Sequence, residues 1–89
     1  MIEKSVTIIN KLGLHARAAS KFVTTANGYE AEIHVARDQQ RVNAKSIMGV
    51  MMLAAARGAE LRLEAEGEDA EAAIDALIAL VRDRFGEEE

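Results

Sequence analysis

Cysteine, proline and tryptophan are all absent from the 89-residue chain. Without cysteine there is no disulfide staple, no thiolate metal site and no thiol nucleophile, so packing alone must hold the fold, and a reducing compartment fits. Without proline, and with six scattered glycines, no stretch has linker or low-complexity composition except the acidic tail 87–89, which reads as solvated and structureless. Aromatic residues are limited to Phe22, Tyr29 and Phe85, and 11 Lys+Arg against 15 Asp+Glu leave a net charge of −4. That combination excludes a stacking platform with a basic footprint for nucleic acid, and a broad attraction to anionic lipid. The longest apolar run, residues 50–56, is far short of the roughly 20 residues that span a bilayer. The opening Met-Ile-Glu-Lys-Ser lacks the apolar stretch of a secretory signal, so a complete cytoplasmic chain is expected. At 49% apolar residues, it suffices for one core and is too short for two, which predicts a single domain over 1–89.

Periodicity supplies the elements. Residues 2–9 are rich in β-branched side chains and read as a strand. After a loop containing Gly13, Ala19, Phe22, Val23 and Ala26 recur at helical steps, and Asn27-Gly28 offers a left-handed stop. Residues 30–37 alternate, with Ala31, Ile33 and Val35 on one face, and a turn at Asp38-Gln39 leads to a short strand over 41–43. Ser46 is placed to cap a helix over 47–56, with Val50, Leu53 and Ala54 facing inward and Arg57-Gly58 as its basic last turn and stop. Residues 60–66 alternate again, Gly67 turns the chain, and Asp69 is placed to cap a third helix whose spacing runs through Arg84 to Gly86. The order β-α-β-β-α-β-α, with strands wet on one face, predicts a two-layer α+β domain on a mostly antiparallel sheet.

Chemistry concentrates at Gly13-Leu14-His15-Ala16-Arg17. A helix start leaves backbone N–H groups without partners and carries partial positive charge, so it favours an anion. An imidazole there is nucleophilic near neutral pH and can take and release a phosphoryl group, while a guanidinium two residues on can contact phosphoryl oxygens in pairs. A histidine in that place could equally be a polar surface residue, and Arg17 a solvated side chain. His34 lies on the polar face of a strand, and neither histidine has acidic neighbours at metal-ligand spacing, so no metal or other cofactor is expected. The second helix is apolar all round, through Ile47, Met48, Val50, Met51, Met52 and Leu53. Either Ile47, Met48, Met51 and Met52 form an exposed contact patch, or the helix is buried more deeply than a two-layer domain suggests.

Three segments carry a resemblance: Asn-Lys-Leu-Gly-Leu-His-Ala-Arg-Ala-Ala over 10–19, Ala-Lys-Ser-Ile-Met-Gly-Val-Met-Met-Leu over 44–53 and Ala-Glu-Gly-Glu-Asp-Ala over 65–70. Together they resemble the signature regions of the HPr family, the histidine phosphocarriers of the bacterial phosphoenolpyruvate-dependent phosphotransferase system, along essentially the whole chain. The resemblance implies an open-faced β-sandwich of four strands covered by three helices. It makes His15 the phosphoryl acceptor, through Nδ1, from phospho-enzyme I and the donor to an enzyme IIA-type domain, with Arg17 as phosphate partner. It makes Ser46 a regulatory serine for an HPr kinase/phosphorylase, and Ala16, Ser20, Ile47, Met48, Met51 and Met52 the docking surface of a monomeric carrier that is not itself an enzyme. The family usually has proline after the arginine, where this chain has Ala18; this and the 45–53 run resemble the nitrogen-related NPr branch, which implies a regulatory enzyme IIA as acceptor. A protein-binding module controlled by Ser46, with His15 idle, is the alternative on the same fold.

Overall fold

A computed structural model describes residues 1–89. It contains β1 (Ile2–Thr7), α1 (Ala16–Asn27), β2 (Glu32–Arg37), β3 (Gln40–Asn43), α2 (Ile47–Met52), β4 (Glu60–Glu66) and α3 (Ala70–Arg82), followed by a 3₁₀ turn over Arg84–Gly86. The strands form one antiparallel sheet in the order β1-β4-β2-β3, with Val6 opposite Leu61 and Val35 opposite both Leu63 and Val42. The period of two sends Leu61, Leu63, Ala65, Ile33 and Val35 toward the helices, where they meet Phe22, Val50, Ile74 and Leu77 in one hydrophobic cluster. The other face carries the charged residues and is open, as the alternation predicts.

Several boundaries differ from the sequence expectation, each for a visible reason. β1 stops at Thr7 rather than Ile9, because Ile8 leaves the ladder and bonds instead to the 58–59 turn (Ile8 N to Ala59 O 2.9 Å, Gly58 N to Ile8 O 2.7 Å). β2 starts at Glu32 because the amides of Glu30 and Ala31 donate to the Asp69 carboxylate, at 2.9 and 2.8 Å. Asp69 sits at the start of α3 but makes no side-chain bond to that helix; it ties the entry of β2 to the entry of α3. α1 ends with Gly28 right-handed at φ −75°, not with a left-handed stop.

α2 is six residues long, not ten. Ala54 turns left-handed at φ 48°, and the Arg37 guanidinium holds the helix exit there, donating from Nη1 to the carbonyls of Leu53 (2.9 Å) and Ala54 (3.2 Å). Val50 and Leu53 are buried as expected, but Ala54 is exposed and Ala55 takes the interior position. α3 likewise ends early, at Arg82, where Arg84 and Phe85 adopt φ 56° and 55°. Left-handed backbone costs a residue with a Cβ about 1–2 kcal/mol. The wholly buried Phe85 ring offsets that cost, since truncating such a side chain loses about 3–5 kcal/mol. The tail beyond it is therefore not structureless; it is led back to the start of α1.

Candidate functional site

Three loops converge at the start of α1. The first, residues 8–15, is clamped from behind: Leu14 N donates to Ala55 O at 2.8 Å, and Gly13, at φ 66°, lies so close that a Cβ would stand 2.6 Å from the same oxygen. Its rigidity comes from Asn10, whose side chain is wholly buried and donates from Nδ2 to Gly13 O at 2.8 Å. The second loop is the exit of α2, fixed by Arg37 as described. The third is the tail.

His15 is the residue before α1, with extended backbone (φ −71°, ψ 176°), and its side chain does not cap the helix. The ring is therefore free for other partners and remains 28% exposed. Its Nε2 meets a carboxylate oxygen of Glu87. The other Glu87 oxygen accepts from Asn10 Nδ2 at 3.0 Å, so one buried amide holds both the loop and the tail. The hydrogen bond to His15, and then that from Asn10, keep the Glu87 carboxyl below its ordinary range despite partial burial, so it is ionised at neutral pH. Lys21 Nζ donates to Phe85 O at 2.7 Å, and Lys11 N to Glu89 O at 2.6 Å.

Arg17 is exposed on the first turn of α1 and enters none of the chain's ion pairs. With Lys11, Leu12, His15, Ala16 and residues 87–89 it borders an open cleft of about 710 Å³. An exposed guanidinium, an imidazole and a helix start, whose first amides have no intrahelical partners, thus border the same opening. Ala18 is buried in a regular first turn, so alanine in place of proline leaves α1 intact. Ala16 and Ser20, one turn apart, are both exposed on the same face.

Ile47, Met48, Met51 and Met52 are exposed, Met48 at 69% and Met52 at 64%, so α2 is not deeply buried and presents an apolar surface. Leu12 adds a further exposed apolar side chain beside the cleft. Ser46 caps α2, its Oγ accepting from Gly49 N at 3.1 Å. His34 belongs to none of this: it sits half-buried on the open sheet face, opposite Glu64 and Asn43.

Glu87, Asn10, Arg37 and Phe85 are the site residues that sequence reasoning missed. An aromatic residue beyond the end of an amphipathic helix, followed at once by acids, is the one signal that could have shown that the tail is anchored.

Four antiparallel strands under three helices, with an imidazole just before the first helix, make this an open-faced α+β sandwich of the architecture that phosphocarriers have. The family model described as the PTS HPr component phosphorylation site matches residues 2–83, and the chain belongs to the HPr family. It is 51% identical over 89 residues to the phosphocarrier protein HPr of Cupriavidus necator, covering 100% of both chains. It is 44% identical over 86 residues to the phosphocarrier protein NPr of Shewanella violacea, covering 97% of this chain and 94% of that one. The crystal structure of HPr-C-His from Thermoanaerobacter tengcongensis superimposes with a TM-score of 0.96 at 49% identity, covering 100% of both chains.

Proposed function

We propose that this protein carries phosphoryl groups on His15, accepting them at Nδ1 from phospho-enzyme I and passing them to an enzyme IIA-type domain, without turning over a substrate of its own. The observation that carries this reading is the placement of His15: its ring is held at Nε2 by Glu87 at the mouth of a helix start, beside an unpaired Arg17. Arg17 is assigned to the phosphoryl oxygens, and the Ala16–Ser20 face with Ile47, Met48, Met51 and Met52 to docking. One apolar patch serves donor and acceptor in turn, which suits moderate affinities and a charged rim.

Ser46 is the regulatory position in this reading, the substrate of an HPr kinase/phosphorylase. A phosphoryl group there adds about −1.5 to −2 charges at the edge of the docking face and opposes acidic partners. The carrier acts as a single-domain monomer in the cytoplasm. The 51% and 44% relatives bear the HPr and NPr names respectively, so both the sugar and nitrogen forms of enzyme I belong in the test.

Intact-mass spectrometry at neutral to alkaline pH, after incubation with phosphoenolpyruvate and each enzyme I, decides the matter. A single acid-labile adduct on the parent and none on a folded His15→Ala variant is expected. Absence of any adduct with both forms transfers the function to docking controlled through Ser46.

A further inference from the structure

The tail that reaches His15 is built rather than incidental. Two consecutive left-handed residues, Arg84 and Phe85, turn it back, a wholly buried ring anchors it, and the side chain of Lys21 and the amide of Lys11 tie down its carbonyls. All of this delivers one carboxylate to one ring nitrogen. Resting on the phosphocarrier reading above, we propose that Glu87 is the positioning residue for His15: it keeps the ring proton on Nε2, leaves the lone pair on Nδ1 for the phosphoryl group, and pairs with the ring when phosphorylation makes it cationic.

Asn10 makes the arrangement specific. Its Nδ2 donates at once to Gly13 O and to a Glu87 oxygen, so the carboxylate is fixed relative to the loop that bears His15, and its second oxygen is left for Nε2. A carboxylate accepts hydrogen bonds only, so the nitrogen facing it must carry the proton. In the forward step the Nδ1 lone pair attacks phosphorus, the N–P bond forms, and the donor's bond to phosphorus breaks with its electron pair. Nε2 keeps its proton, so the ring carries a positive charge opposite Glu87. In the return step the acceptor's nucleophile attacks phosphorus, and the electron pair of the broken N–P bond returns to Nδ1. The ring is neutral again with the proton still on Nε2. A protonated ring is the better leaving group, so a carboxylate that retains this proton keeps the phosphoryl group transferable at higher pH.

Loss of phosphate from the phosphorylated protein, followed against pH, tests this without any partner. The full chain is phosphorylated chemically with phosphoramidate, and intact mass is followed over time for the parent, Glu87→Gln and Glu87→Asp. Glutamine keeps an acceptor oxygen but not the charge. Its lability profile is expected to have a midpoint about one pH unit lower, which is about tenfold slower loss at pH 8, while aspartate restores most of the parent's profile. A purely structural clip would move stability and not this midpoint, so superimposable profiles for parent and Glu87→Gln, with the adduct formed on both, overturn the role of Glu87 alone. No adduct on the parent overturns the phosphocarrier reading and the role of Glu87 with it.

Discussion

Replacing Gly13 by alanine isolates how tightly the two loops behind His15 are pressed together. At φ 66° an alanine pays about 1–2 kcal/mol in backbone strain. The new Cβ would also stand 2.6 Å from Ala55 O and 2.9 Å from Ala56 Cα, both backbone, where ordinary contact begins near 3.4 Å. The loops must part, and the 2.8 Å bond from Leu14 N to Ala55 O goes with them, at about 1–3 kcal/mol for a donor in a buried residue. Alanine returns about 0.4–1 kcal/mol by restricting the unfolded chain. The net loss is about 2–4 kcal/mol, or roughly 10–25 °C in Tm for a domain this small. Gly58 is the control: it too is left-handed, at φ 93°, but nothing lies within 4 Å of its Cβ position, so Gly58→Ala carries backbone strain alone, about 1 kcal/mol net. Urea denaturation at constant m-value measures both. Costs for the two variants equal to within about 0.5 kcal/mol would refute the contact argument and leave only the dihedral one.

Four further outcomes are expected. The Asp69 carboxyl is held below its ordinary 3.8, first by the Glu30 amide and, against partial desolvation, also by Ala31. Its contribution is therefore present above pH 3.8 and is lost as the pH falls below that value. The urea midpoint of the parent should drop more steeply than that of Asp69→Asn between about pH 5 and pH 2, and parallel curves would reject the assignment. Ala54→Gly relieves a left-handed alanine at the exit of α2 and should gain about 0.5–1 kcal/mol in the same assay, whereas a loss would mean that its methyl group packs. Arg17→Ala should slow phosphoryl transfer to His15 by about tenfold or more without abolishing it, as loss of a charge-assisted contact requires, and an unchanged rate removes Arg17 from the mechanism. Ser46→Asp should raise the apparent KM for phospho-enzyme I with little change in kcat, while an unchanged KM leaves Ser46 as a helix cap only.

What the sequence made legible was whatever repeats at a fixed period. The alternation over 60–66 and 30–37 placed Leu61, Leu63, Ile33 and Val35 correctly, because each strand keeps one face on the helices. The spacing in α3 did the same for Ile74 and Leu77. Ends were harder, because long-range partners decide them: Arg37, sixteen residues upstream, stops α2, and Asp69 delays β2. The place of His15 at a helix start was legible from the pattern around it, but the anchoring of Glu87 was not, since a run of glutamates looks the same whether it is solvated or tethered. Only the burial of Phe85 and two left-handed residues distinguish the cases, and dihedral angles at Arg84 and Phe85, neither of them glycine, leave no trace in composition.

The strand order has a consequence for how the chain is made. β4 lies between β1 and β2, so β1 pairs only with a strand some 60 residues later, Ile2 opposite Ala65. The hairpin of β2 and β3 closes locally, but β1, made before either of them, must wait for β4 to find its neighbour. At about 5–20 residues per second that wait lasts roughly 3–12 s, with Ile2, Val6 and Ile8 lacking their final partners. Closure of the sheet therefore waits for β4, and Phe85 and the tail follow β4 out, so the site around His15 is completed only after the sheet that supports it.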